Sequence, residues 1–283
     1  MLYLVGTPIG HLGDLSERAR QVLAHVDVIA CEDTRHSGQM LSSLGAVGKR
    51  LSFHQHNTKG RIPQLLELLE QGQSVAVISD AGLPGISDPG EDLVSAARDA
   101  GREVICVPGP CAATTALVSS GLPSGRFCFE GFLPAKGKDR RDRLALIASE
   151  PRTSVLYEGP HRLLQLLEEL AQHCGPERPL QVARELTKRH EQQVGPTIAA
   201  ALLHFQSQKP QGEFTLVLGG APEAVAEDHD DAYWRNALQQ LIAAGLSANA
   251  AAKQLASSGE RSKRELYALL HSEEGKEEDH PAD

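Results

Sequence analysis

A run of four apolar residues, Val75 to Ile78, passes directly into Ser79-Asp-Ala-Gly-Leu-Pro-Gly-Ile-Ser-Asp-Pro-Gly90, and this junction limits the folds open to the chain. An unbroken apolar run of that length reads as a short strand buried on both faces. The loop after it is longer than the roughly 2–6 residues that an ordinary strand-to-helix connection needs. It therefore reads as a ligand loop at the carboxyl end of a strand in an open α/β sheet, with a long ligand-free connection as the plain alternative. Gly82, Gly85 and Gly90 would let the backbone approach a ligand closely. Asp88, Pro89 and Glu91 read as the cap, first residue and first-turn acid of the next helix.

The same rhythm recurs on either side. Residues 2–6 form a strand that enters Gly6-Thr-Pro-Ile-Gly-His-Leu-Gly-Asp14, whose glycines fit neither the dinucleotide-binding nor the P-loop spacing. Asp14 with Glu17 reads as a capping box. A second strand, residues 26–31, ends in Glu32-Asp33-Thr34-Arg35, which is either a reactive cluster facing a cleft or a helix cap with a surface ion pair. Strands near residues 51–54 and 103–107 and helices over 62–71 and 89–100 follow. Pro108-Gly-Pro-Cys-Ala-Ala113 then supplies another strand-end loop, a candidate adenine or ribose pocket or a site of tight helix packing. Five alternations argue for a mainly parallel sheet covered on both faces.

Gly121-Leu-Pro-Ser-Gly125 is the natural boundary, and a second α/β layer structure follows it. The expected organisation is thus α/β: two α/β domains over 1–121 and 122–220, an acidic linker over 221–231, a helical unit over 232–272, and a disordered acidic tail over 273–283. The helical unit resembles a helix-turn-helix, with a packing or dimerisation appendage as the alternative. Ser262 and Glu265 form its clearest capping box.

Charge and cysteine usage exclude several classes. The linker and tail hold eleven acids and one base; without them the 37 acids and 28 bases of the chain become 26 and 27, so a net charge of −9 does not preclude a basic face. One stretch, residues 134–143, carries Lys136, Lys138, Arg140, Arg141 and Arg143 close to Phe127, Phe129 and Phe132. It reads as a loop that contacts RNA phosphates, or else as an ordinary solvated loop. Five cysteines without a C-x-x-C pair argue against a disulfide framework and a zinc site, and His54 with His56 is too little for a metal. No metal is expected. No apolar run reaches the ~20 residues of a membrane span and no basic leader precedes residues 1–3, so a cytoplasmic protein without membrane contact is expected.

Taken in order, Thr7-Pro-Ile-Gly10, Glu32-Asp-Thr-Arg35, Ser79-Asp-Ala-Gly82, Ile86-Ser-Asp-Pro-Gly90, Pro108-Gly-Pro-Cys-Ala112, Phe129-Glu-Gly-Phe-Leu-Pro134, Pro160-His-Arg-Leu163, Ala183-Arg-Glu-Leu-Thr-Lys188 and Gly212-Glu213 give the chain a further meaning. Over residues 2 to about 220 it resembles the tetrapyrrole methylase superfamily, and within it the branch that 2′-O-methylates a decoding-site cytidine of 16S ribosomal RNA. The resemblance implies a cofactor, S-adenosyl-L-methionine, in a cleft between two α/β domains, a homodimer, and 16S rRNA in the small ribosomal subunit as partner. Carried over by position, Pro8, Ser79, Asp80, Ala81, Gly82, Ile86, Ala112, Tyr157, Ala183 and Glu213 would surround the cofactor. His11, Leu83, Gly159 and Gln211 stand where the family pattern has Asn, Thr, Ser and Lys.

Methyl transfer needs alignment and removal of a hydroxyl proton. Glu32, Asp33, Asp80, Glu158, Glu185 and a Lys188 of lowered pKa are the candidate bases, and Glu32, Asp33, Arg35 and Lys188 the candidate catalytic set. A small-molecule methylase of the same superfamily and a non-catalytic RNA-binding module are the rival readings.

Overall fold

The computed structural model describes residues 1–222, 230–256 and 261–271. By contact density the chain divides at Ala221/Pro222 into two units. The first holds two five-stranded sheets.

In the first sheet all pairs are parallel. Its strands are β1 (Leu2–Val5), β2 (Val28–Cys31), β3 (Lys49–Ser52), β4 (Val75–Ile78) and β5 (Val104–Val107), in the order β3-β2-β4-β1-β5. The helices between them are α1 (Glu17–His25), α2 (His36–Ser43), α3 (Thr58–Glu70) and α4 (Glu91–Asp99). Alternation explains the unbroken apolar runs. Val28, Ala30, Val75 and Val77 pack on Leu65, Leu69 and Leu93 of α3 and α4, while Ile29, Cys31, Ala76 and Ile78 pack on Ala19, Leu23 and Leu41 of α1 and α2. The order brings the ends of β2, β4 and β1 side by side.

The second sheet is mixed. It contains β6 (Phe127–Phe132), β7 (Thr153–Glu158), β8 (Leu180–Arg184), β9 (Gln192–Val194) and β10 (Phe214–Leu218), ordered β6-β7-β10-β8-β9. One face carries Leu156, Val182 and Leu216 against α6 (Lys138–Ser149), α7 (Leu163–Cys174) and α8 (Ile198–Ser207). The other carries Val155, Ala183 and Val217 against α5 (Ala112–Ser119) and against Ile9 from the loop after β1. This shared apolar seam joins the two sheets and sets the cleft between them.

Several local expectations change. The cap of α1 is Ser16, whose hydroxyl accepts from the Ala19 amide at 3.1 Å; Asp14 instead ends a short 3-10 turn, Leu12–Asp14. Helix α6 begins at Lys138, so most of the basic stretch is helical rather than loop. A bulge between Phe129 and Gly131 puts Phe127, Phe129 and Phe132 on the face of Tyr157, whereas strict alternation would send Phe132 to the other side. All three rings remain partly exposed. Strand β9 and helix α2 had no clear sequence signal.

The second unit contains α9 (Asp231–Ala243), α10 (Ala248–Ala256) and α11 (Lys263–His271) around Trp234, Leu238, Ala251, Ala252 and Leu266. Ser262 and Glu265 cap reciprocally, as expected. Most of the acidic linker and the whole acidic tail lie outside the described residues, as does the Ser257-to-Gly259 turn.

Arg140 does not face RNA. It is 3% exposed, its guanidinium donates to Glu169 at 2.6 and 2.9 Å and to the Pro134 carbonyl at 2.9 Å, and it ties α6 to α7. Truncating one member of a buried pair leaves the other unpaired, at about 3–5 kcal/mol. Glu169 is a quarter exposed, so Arg140→Ala is expected to lower unfolding stability by about 3 kcal/mol in denaturant titration, without lowering the salt dependence of RNA binding.

Candidate active site

The loops after β1, β4 and β5 interlock at the carboxyl edge of the first sheet. The Thr7 amide donates to the Gly82 carbonyl at 2.9 Å and the Gly82 amide to the Thr7 carbonyl at 3.1 Å. The Thr7 hydroxyl reaches the Ser79 carbonyl at 3.2 Å. A methyl on Gly6 would stand 2.7 Å from the Gly109 Cα, so these two loops touch backbone to backbone. Gly82 has φ +88°, which a glycine adopts without strain.

Two adjoining cavities open from this edge. The smaller, about 270 Å³, is lined by Gly82, Ile86, Asp88, Ala112, Phe132 and Tyr157 among others. The larger, about 650 Å³, lies between Pro8, Gly10, Gln39 and Ser43 of α2, and Lys188. Ile9, Asp80, Ala81 and Glu213 line both. Ala183 is buried beneath, in a recess beside Ala112 and Thr215. Ser79 is buried at the wall of the larger cavity, its hydroxyl near the Ala81 and Gly82 carbonyls. Nine of the ten residues assigned to cofactor contact thus line the two cavities, and Ala183 lines the adjoining recess.

An acidic floor lies beside them. Asp88 does not cap a helix: α4 begins after Gly90, and the Asp88 carboxyl turns to the smaller cavity. Burial pushes its pKa up to about 6; the charge of Glu32 adds to this, the Ser79 hydroxyl opposes it, and Asp80 adds further repulsion. Burial, then Asp80, also raises Glu32, against a smaller pull from His54. No described residue donates a hydrogen bond to the Glu32 carboxylate. Along the chain Asp88 looks like a cap, because an acid before Pro-Gly is a good cap signal; only the adjacency of β2 and β4 brings the acids together.

The other candidate bases fare differently. Asp33 is held by Arg35 through the Arg35 amide at 2.8 Å and the guanidinium at 3.2 and 3.0 Å, so both are engaged at an exposed turn. Glu158, after Tyr157 in β7, lines the smaller cavity; its Oε1 takes Arg162 at 2.9 Å and the Gly159 amide at 2.8 Å, while its buried Oε2 has no hydrogen-bond partner among the described residues. Lys188 has no lowered pKa. Burial pulls it down, but the ammonium donates to Glu213 at 2.8 Å and Glu185 at 2.9 Å, and these bonds leave it raised. A permanently charged ammonium is no base near neutrality. Glu185 is occupied by that ammonium and by the Glu213 amide.

Tyr157 accepts from the Ala113 amide at 3.0 Å and meets Phe129 and Phe132 edge to face. Burial raises its phenol well above the ordinary range, so it stays protonated. Outside the cleft, Lys136 and Arg141 stand exposed, whereas Lys138 pairs with Asp142 and Arg143 with Glu130. Among the described residues no group of three or more potential metal ligands occurs, and no helix is long and apolar enough to cross a membrane.

The family model for Tetrapyrrole (Corrin/Porphyrin) Methylases matches residues 1–202. The chain belongs to the tetrapyrrole methylases. Membership makes it a methyltransferase, with S-adenosylmethionine as the methyl donor of the family. Similar curated proteins include ribosomal RNA small subunit methyltransferase I of Synechocystis, 47% identical over 95% of this chain and 96% of that one, and its namesake from Haemophilus influenzae, 45% identical over 96% and 98%. A solved tetrapyrrole methylase, uroporphyrin-III-C-methyltransferase from Thermus thermophilus, superposes with a TM-score of 0.55 at 27% identity, covering 77% of this chain and 93% of its own.

The cavities of this tetrapyrrole methylase suit the donor. Small side chains and glycine backbone around the smaller cavity leave room for a nucleoside. The cluster of Glu32, Asp80 and Asp88 beside it favours a sulfonium cation over a neutral ligand.

Proposed function

We propose that the protein transfers a methyl group from S-adenosylmethionine to the ribose 2′-hydroxyl of a decoding-site cytidine, cytidine 1402 of 16S rRNA, in an assembled or nearly assembled small ribosomal subunit. The carrying observation is the meeting of two cavities at Asp80, Ala81 and Glu213, with Glu32, which lines neither cavity, half-buried within electrostatic range of Asp80 and Asp88 and without a hydrogen-bonded partner among the described residues. The smaller cavity takes the cofactor and the larger takes one nucleotide of the RNA. Bound there, the cofactor supplies an electrophilic methyl on sulfur.

The residues of the chain do the rest. Glu32 receives the hydroxyl proton; burial and Asp80 raise its pKa and so its basicity. Asp80 accepts from the Asp33 amide at 3.3 Å and keeps the ends of β2 and β4 in register. Asp33 and Arg35 hold the turn that presents Glu32. The names of the similar ribosomal RNA methyltransferases support the RNA substrate. Lys136 and Arg141 offer free charges to phosphates outside the cleft, and a homodimer carries two such faces. With only 4% aromatic residues the chain has few stacking platforms for a free single strand, which favours a folded particle as target.

Mass spectrometry of nucleosides from treated small subunits tests the reading: a 2′-O-methylcytidine is expected. A methyl on a base, or transfer to a tetrapyrrole and not to RNA, defeats it. The C-terminal helical unit is assigned to docking on the subunit. A chain ending at Ala221 is expected to keep cofactor affinity within about twofold while its KM for subunits rises at least about tenfold, the avidity that a linked second contact provides. Loss of cofactor binding, or full activity, contradicts that assignment.

A further inference from the structure

Lys188 is the one cation, among the described residues, that lines either cavity, and it lines only the larger. The turn that carries it is strained. Glu185 and Thr187 have φ +50° and +65°, left-handed values that non-glycine residues rarely adopt, and such strain concentrates at functional sites. Neighbouring contacts hold the turn in place. The Thr187 amide donates to Glu191 at 2.8 Å, and the Thr187 hydroxyl accepts from the His11 amide at 3.1 Å, which fastens the turn to the loop after β1.

The two carboxylates on the ammonium are not equivalent. Glu185 is 17% exposed and is also fixed by the Glu213 amide at 2.9 Å; the side chain of Glu213 is 76% exposed and reaches both cavities. With both attached, the group carries a net negative charge and repels a phosphate. With Glu213 turned away, only Glu185 still holds the ammonium, and two of its three N–H groups are left for a ligand in the larger cavity that Lys188 lines.

We propose that Lys188 grips the phosphate adjoining the methylated ribose, and that Glu213 occupies Lys188 until cofactor binding takes that carboxylate over. This rests on the assignment of cofactor and RNA to the smaller and larger cavities. Lys188 is then a binding and positioning residue, and it couples the two ligands. Because coupling is reciprocal, cofactor raises RNA affinity as much as RNA raises cofactor affinity.

The test measures binding of unmethylated small ribosomal subunits across a range of KCl, with and without S-adenosylhomocysteine, alongside calorimetry of S-adenosylhomocysteine alone. With ligand present, Lys188→Gln is expected to flatten the slope of log affinity against log salt by about 0.7–0.9, one phosphate contact, and Lys188→Arg to restore it. Glu213→Gln is expected to bind subunits equally with and without the ligand, where the wild-type protein binds at least about fivefold tighter with it. An unchanged slope in Lys188→Gln overturns the phosphate contact. A wild-type affinity indifferent to the ligand overturns the exchange at Glu213. Failure of the wild-type protein to bind or methylate subunits defeats instead the RNA reading on which both depend.

Discussion

Glu32→Gln is expected to lower the single-turnover rate of methyl transfer by about 100-fold or more, the contribution of a positioned general base, while cofactor affinity changes little. The amide keeps the shape of the side chain and cannot take a proton. Asp33→Asn is expected to cost less, because Asp33 is bound to Arg35 and acts on the turn rather than the hydroxyl. The pH profile provides a second readout. Transfer should rise with pH as Glu32 loses its proton, above the ordinary glutamate value because burial and Asp80 raise it. Asp88 adds an opposite effect on stability. Its folded pKa of about 6 exceeds the 3.8 of an ordinary aspartate, so the native state holds a proton that the unfolded chain releases, and stability falls as pH climbs between those values. Asp88→Asn should flatten that slope in thermal unfolding. Equal turnover of Glu32→Gln and wild type would remove Glu32 as the base.

Gly82→Val is expected to abolish cofactor binding, with at least a hundredfold loss of affinity by calorimetry. At φ +88° a β-branched residue is strained by about 1–3 kcal/mol, and its methyls would enter the smaller cavity from the wall that Thr7 braces. The added Cβ itself meets nothing closer than 3.5 Å, so the unit should still fold. Circular dichroism separates the two effects. A folded variant with wild-type cofactor affinity would remove the loop from the site.

Much of this architecture is legible along the chain because parallel strands buried on both faces must be apolar at every position. Val75–Ile78 and Val28–Cys31 leave no alternative to a covered sheet. Glycine and proline at the strand ends likewise mark the ligand loops, since close approach of Gly6 to Gly109 tolerates no side chain. Local signals misled where two structures satisfy one pattern. Asp88 before Pro-Gly can cap a helix or face a cavity, and basic residues 138–143 can be a loop or the first turns of α6.

What the sequence by itself determined is therefore the layer type, the positions of the loops and the family. Tertiary structure alone decided which charges are free. Arg140 and Lys188 sit in equally basic-looking surroundings in the sequence. The burial of Arg140 against Glu169 makes it a strut, and the two carboxylates around Lys188 remove it as a base. Strand order decided the acidic floor as well: Glu32 and Asp88 lie far apart in the chain, and they influence each other only because β2 and β4 are neighbours in the sheet. Electrostatic interaction depends on distance through space and on access to water, and neither is encoded in spacing along the chain.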